Sequence, residues 1–177
     1  MSVATIEELL VSELQDLYSA EKQITKALPK LVKAATSQEL KDAFQSHLEE
    51  TQGQVERLDQ VGEILGKKLT GKTCHGMQGV LEEGNEVVDD TDKGTAVRDA
   101  GLITAAQRVE HYEMAGYGGV IAYAKLLGLT DIVGLLEETI EEEKAADKKL
   151  SMLSQTINKQ AQAEGAGEEE SEEDEEE

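Results

Sequence analysis

Leu136-Glu-Glu-Thr-Ile-Glu-Glu-Glu-Lys-Ala-Ala-Asp-Lys-Lys-Leu150 decides the fold. Followed outward, its apolar positions are Ile132, Leu136 and Ile140, then Leu150, Leu153 and Ile157. Steps of three and four residues mark one face of an α-helix. Where the stripe crosses the middle of the segment, Glu143 and Asp147 take the apolar places. A long helix therefore carries carboxylates on the face it should bury. Thr130 is expected to cap it, and it should run to about Lys159.

Three more segments share this design. Thr5-Ile-Glu-Glu8 reads as a capping box opening a first helix that reaches about Ala35, with Pro29 a candidate kink. Thr36-Ser-Gln-Glu39 reads as a second capping box, and Gly66 suits the left-handed stop of the helix it opens. A third helix spans Thr95 to Leu127 and stops at Gly128. Each has about 30 residues, or roughly 45 Å at 1.5 Å per residue. The joints between helices one and two, and between three and four, are very short, which makes each pair antiparallel. Lys67 to Gly94 separates the pairs, with a short helix expected over Met77 to Val88. The expected class is all-α: a ferritin-like four-helix bundle, with one long crossover between helices two and three, over residues 1–160. Residues 161–177 are Gly/Ala and then acidic; they offer no apolar surface and are expected to be a disordered tail.

The other seams are interrupted in the same way. Helix one gives Leu10, Leu14, Leu17, Glu21, Ile24, Leu28; helix two gives Ala43, His47, Glu50, Gln54, Leu58; helix three gives Ala106, Val109, Glu113, Gly116, Val120. Glu21 and Glu50 are 29 residues apart, Glu113 and Glu143 30. Antiparallel helices of similar length align their middles, so these four glutamates should converge on one level. One seam glutamate ordinarily snorkels to water. Four at one depth repel, and burying a carboxylate alone costs several kcal/mol. Protonation is one compensation, and no basic residue is expected among them to provide another; two divalent cations also balance the charge, four times −1 against twice +2.

Composition excludes other classes. With 17 basic and 38 acidic residues the net charge is −21. Ten acidic residues lie in 164–177, so the remainder carries 17 − 28 = −11. Such a surface disfavours nucleic acid and anionic membranes as partners. One cysteine excludes an internal disulfide. No 18-residue apolar run and no basic-then-apolar leader is present, so a cytoplasmic location is expected.

Four stretches, Asp16-Leu-Tyr-Ser-Ala-Glu-Lys-Gln23, His47-Leu-Glu-Glu-Thr-Gln-Gly-Gln-Val-Glu-Arg-Leu58, Val109-Glu-His-Tyr-Glu-Met-Ala-Gly-Tyr117 and Glu141-Glu-Glu-Lys-Ala-Ala-Asp147, resemble the YciE/YciF family of ferritin-like stress proteins. The likeness covers about Thr5 to Asn158. It implies a ferritin-like fold, a homodimer and a rubrerythrin-like metal site. The common di-iron pattern has a His three residues after the glutamate on helices two and four. Here those positions are Gly53 and Ala146. His47, one turn before Glu50, is a candidate nitrogen ligand, and Gln54 and Asp147 are candidate second ligands. Such an oxygen-rich site suits iron, with manganese the alternative.

Glu110, one turn before Glu113, is an alternative ligand or a solvated flank residue. His111 lies off the seam. Tyr18, Tyr112 and Tyr117 lie near the carboxylates in sequence and read first as packing residues with a polar tip, the alternative being hydrogen bonds to the carboxylates or a redox role. Cys74-His75 lacks the partner pair of a zinc site. Gly116, Gly118 and Gly119 suggest a close helix approach, inside the bundle or at a dimer face. The leading functional reading is a dinuclear, di-iron protein of the stress response, acting on oxygen, peroxide or iron. In it Glu50 and Glu143 bridge the ions, and Glu21 and Glu113 are terminal ligands. The alternative is a non-enzymatic helical interaction protein with a structural metal site.

Overall fold

The computed structural model describes residues 3–175, with side chains for 3–166. Five helices follow one another: α1 (Ile6–Ala34), α2 (Gln38–Leu65), α3 (His75–Asp90), α4 (Ala96–Leu126) and α5 (Thr130–Glu175). Among the described residues there is no strand. α1 packs on α2, α2 on α5, α5 on α4 and α4 on α1, so the four long helices close a ring. α3 lies outside the ring, against α4 and α1.

The helix ends follow mostly from local chemistry. The Thr5 hydroxyl accepts from Glu8 N while the Glu8 carboxylate accepts from Thr5 N, the reciprocal box expected there. α1 continues through Pro29. Gly66 stops α2 at φ 61° and Gly128 follows α4 at φ 70°, conformations that favour glycine. At the start of α2 the structure corrects the sequence reading. Ser37, not Thr36, is the cap, and its hydroxyl accepts from Leu40 N. The Thr36 and Ser37 amides instead donate to Asp99 of α4, each at 2.7 Å. A buried carboxylate from another helix thus serves the joint that a local glutamate was expected to serve.

α5 also departs from expectation. It does not end at Lys159 but continues to Glu175. Ala and Glu are good helix formers, and no proline interrupts the run. At Glu164, inside the segment expected to be disordered, the carboxylate accepts from Ala96 N at 2.8 Å. Thr95 caps the same helix end through Arg98 N.

The interior is divided. Ile24, Leu28, Leu40, Phe44, Leu102, Val109 and Leu150 belong to one apolar cluster. Leu10, Leu14, Leu17, Leu58, Tyr117, Val120 and Leu136 belong to another. On every long helix the chain passes from one cluster to the other through polar residues. Glu21 does so on α1, His47, Thr51 and Gln54 on α2, Glu110 and Glu113 on α4, and Thr139 and Glu143 on α5. All eight are buried.

A buried carboxylate and imidazole cluster

His47, Glu110, Glu113 and Glu143 each bring a ligand atom within 4.8 Å of the others. The His47 Nε2 is 3.3 Å from Glu110 Oε1 and 4.0 Å from Glu143 Oε2. Glu21, Glu113 and Glu143 are 0% exposed. Glu21 adjoins the group, because the charge of Glu143 and the carboxyl of Glu113 both act on it. Its Oε1 accepts the Tyr117 hydroxyl at 2.5 Å.

Among the described residues, nine buried side-chain atoms lack a hydrogen-bond partner. They are Glu21 Oε2, both nitrogens of His47, Gln54 Oε1, Glu110 Oε2, and both oxygens of Glu113 and Glu143. All nine belong to this one layer. Buried polar groups are otherwise almost always paired, and a group of this kind could hold a metal ion. The donor set of four carboxylates, one imidazole and an amide oxygen fits hard or borderline divalent metals.

Burial raises Glu21 well above the usual carboxylate range, and the Glu143 charge adds to it. Burial and the neighbouring Glu143 do the same to Glu110. For Glu113, burial comes first, followed by the charges of Glu21, Glu143 and Glu110. The Tyr117 phenol is also raised, by burial and then by Glu21. Without a cation, Glu21, Glu110 and Glu113 are therefore biased toward their protonated forms.

The sequence-derived residues distribute unevenly. Glu21, Glu113, Glu143, Glu110 and His47 lie in the layer. Glu50 does not: its side chain is 43% exposed, with Oε2 3.5 Å from His47 Nδ1. His47 beside it holds the Glu50 carboxyl below the usual range. The buried face of α2 runs His47, Thr51, Gln54 instead of His47, Glu50, Gln54. Both are three- and four-residue steps. Thr51 fits the interior because its hydroxyl donates to the His47 carbonyl at 2.7 Å, whereas Glu50 has no such internal partner. Asp147 stands aside, accepting from Gln107 Nε2 at 2.9 Å and lying 3.4 Å from the exposed His111. Gln54 donates its amide to Glu142.

Sequence reasoning missed Arg57. Its guanidinium pairs with Glu142 and donates to Thr139, so a basic side chain does enter near the layer. It is committed to Glu142 and lowers Glu21 only as a minor influence. Of the three tyrosines only Tyr117 touches the layer. Tyr112 meets Cys74 and Asp16, and Tyr18 faces Asp59. Gly116 marks a close approach, since a Cβ there would lie 2.7 Å from Leu17 Cδ2; Gly118 and Gly119 meet nothing within 4 Å.

A helical protein with a buried carboxylate and imidazole layer is thus defined. The chain belongs to the family described as "Domain of unknown function (DUF892)", which matches residues 5–163. It is 49% identical over 164 residues to Protein YciF of Escherichia coli K12, covering 92% of this chain and 98% of that protein. The crystal structure of the E. coli stress protein YciF superposes with a TM-score of 0.85, over 89% of this chain and 99% of that one. YcfI of Rhodopseudomonas palustris follows at 47% identity and TM-score 0.82, over 85% and 95% of the two chains. A Xanthomonas campestris protein, at 21% identity and TM-score 0.69, shares the fold. No helix among the described residues is long and apolar enough to cross a membrane.

Proposed function

We propose that this chain is a ferritin-like four-helix bundle, with α3 in its crossover, whose buried layer holds two divalent metal ions in a stress-response role. The observation that carries the reading is the set of nine unpartnered buried polar atoms. Glu21, Glu110, Glu113 and Glu143 contribute four negative charges, which two divalent ions balance. This set differs from the sequence-derived one by Glu110 in place of Glu50. His47 supplies the nitrogen, and Gln54 Oε1 is the remaining free oxygen. Iron suits these donors, and manganese shares the preference. The printed description of E. coli YciF as a stress protein supports the physiological setting.

Glu21, Glu110, Glu113, Glu143 and His47 would hold such ions, which would supply electron exchange with oxygen, peroxide or iron itself. The chain's own residues hold and orient. Tyr117 keeps its proton and fixes Glu21 through the hydroxyl. Arg57 fixes Glu142, which receives the Gln54 amide and so sets the orientation of Gln54. The apolar clusters on either side keep bulk water from Glu21, Glu113 and Glu143, which are 0% exposed.

Elemental analysis of protein purified without a metal-affinity tag tests the reading. Two iron or manganese ions per chain support it; a metal-free chain that also binds none on titration overturns it. Oxygen uptake on adding ferrous iron then separates an active centre from a structural one. A homodimer is part of the proposal, as the commonest closed association. Light scattering that shows only monomer at micromolar concentration and moderate salt rules that part out.

A further inference from the structure

A cleft of about 90 Å³ opens between α2 and α5. That is room for several water molecules, since one needs about 10–15 Å³ of such space. Its inner wall includes His47 and Glu110, both members of the buried layer. Its rim carries Ser46, Glu50 and Lys149, and the small side chains of Ala43, Ala145 and Ala146 leave it open. Ala146 lies three residues after Glu143, one turn along the same helix. Glu21, Glu113 and Glu143 are sealed at 0% exposure, so the cleft meets the layer at His47 and Glu110.

Donor groups succeed one another along this cleft. The exposed Glu50 carboxylate stands at the rim, 3.5 Å from His47 Nδ1. The other ring nitrogen is 3.3 Å from Glu110 and 4.0 Å from Glu143. Neither ring nitrogen has a hydrogen-bond partner, and neither does Glu110 Oε2. A cation shedding water on its way inward needs replacement ligands at short intervals, because each missing one leaves charge uncompensated in low dielectric.

We propose that the α2–α5 cleft is the path by which a hydrated divalent cation reaches the buried layer, with Glu50 the ligand that first captures it. Lys149 shares the rim with Glu50. Glu50 is then a transit ligand and not a resident one. The inference rests on the metal-binding reading above but assigns a separate role to a separate set of residues.

Loading kinetics test it. The full chain, stripped with chelator, is mixed with Co²⁺, and the visible absorption of the bound ion is followed to its end point. Glu50→Gln should slow loading about tenfold, the lower end of the effect of a focusing charge on association, and reach the wild-type number of ions per chain. Ala146→Leu, which narrows the cleft without touching a donor group, should slow loading as well. Wild-type rates in both variants overturn the path. A lower final count in Glu50→Gln overturns the transit role and makes Glu50 a resident ligand. If the wild type takes up no cobalt, both the path and the reading beneath it fall; equal rates at full loading remove the path alone.

Discussion

Tyr117 of α4 places its hydroxyl 2.5 Å from Glu21 Oε1 of α1, and both side chains are 0% exposed. The phenol donates to one oxygen of the Glu21 carboxyl group, and the other oxygen has no partner. This contact ties two helices at the boundary between the polar layer and an apolar cluster.

Tyr117→Phe keeps the ring and removes the donor. It should lower stability by about 1–3 kcal/mol, the range for stranding a buried acceptor. Urea unfolding of the chelator-treated protein checks it, with an unchanged dependence on denaturant. A change below about 0.5 kcal/mol would show that water replaces the phenol.

The metal-free protein should become less stable as pH rises. Glu21, Glu110 and Glu113 have folded-state pKa values raised well above the ordinary one, chiefly by burial. The folded chain therefore holds protons that the unfolded chain has released. Their stabilising contribution is full below the unfolded carboxylate pKa of about 4.3 and is lost as pH climbs through the raised values, by about 1.4 kcal/mol per pH unit for each extra proton held. Bound metal reverses the trend, because the ligands must be deprotonated to coordinate. Urea midpoints between pH 5 and 8, with and without Mn²⁺, should slope in opposite directions.

Glu143→Leu exchanges a buried carboxylate, unpartnered at both oxygens, for an apolar side chain. The metal-free variant should be more stable than the wild type by about 1 kcal/mol or more, as when other buried charges are replaced by hydrocarbon. Its metal content should fall, as read by elemental analysis. Glu138→Leu, at a side chain 63% exposed and 3.4 Å from Arg57, should leave metal content unchanged and shift stability by no more than about 1 kcal/mol. Loss of stability in Glu143→Leu would mean that protein groups already compensate the carboxylate.

Truncation after Gln160 removes the Glu164 carboxylate from the amide of Ala96. Stability should fall by about 1 kcal/mol, the usual worth of a helix cap, while metal content stays the same. Glu164→Ala in the full chain should reproduce the loss. If truncation costs nothing, the Thr95 cap and water suffice for that helix end.

The helices and the level of the polar layer were legible in the sequence because each rests on local pattern. On α1, Leu10, Leu14, Leu17, Glu21, Ile24 and Leu28 are all buried as their spacing requires. The choice between Glu50 and Thr51 was not legible, since a 3.6-residue period admits both. It is decided by a side-chain bond to the backbone of His47. Likewise α4 buries Glu113, Tyr117 and Val120 and leaves Gly116 half-buried, one step from the seam read at Gly116. Asp99 at the α1–α2 joint and Glu164 at the start of α4 were invisible for another reason. They act across more than 60 residues of chain, where no local period extends.

Cys74 is the chain's single cysteine, fully buried, where its sulfur accepts from Met77 N at the first turn of α3 and lies 3.0 Å from the Tyr112 hydroxyl. Gly76 leaves the room for Tyr112 that a Cβ would take. A thiol so enclosed reacts with a soluble reagent only during the moments when α3 detaches from α1 and α4. Its labelling rate therefore works as a clock for the crossover alone, counting openings of one helix while the four-helix ring stays shut.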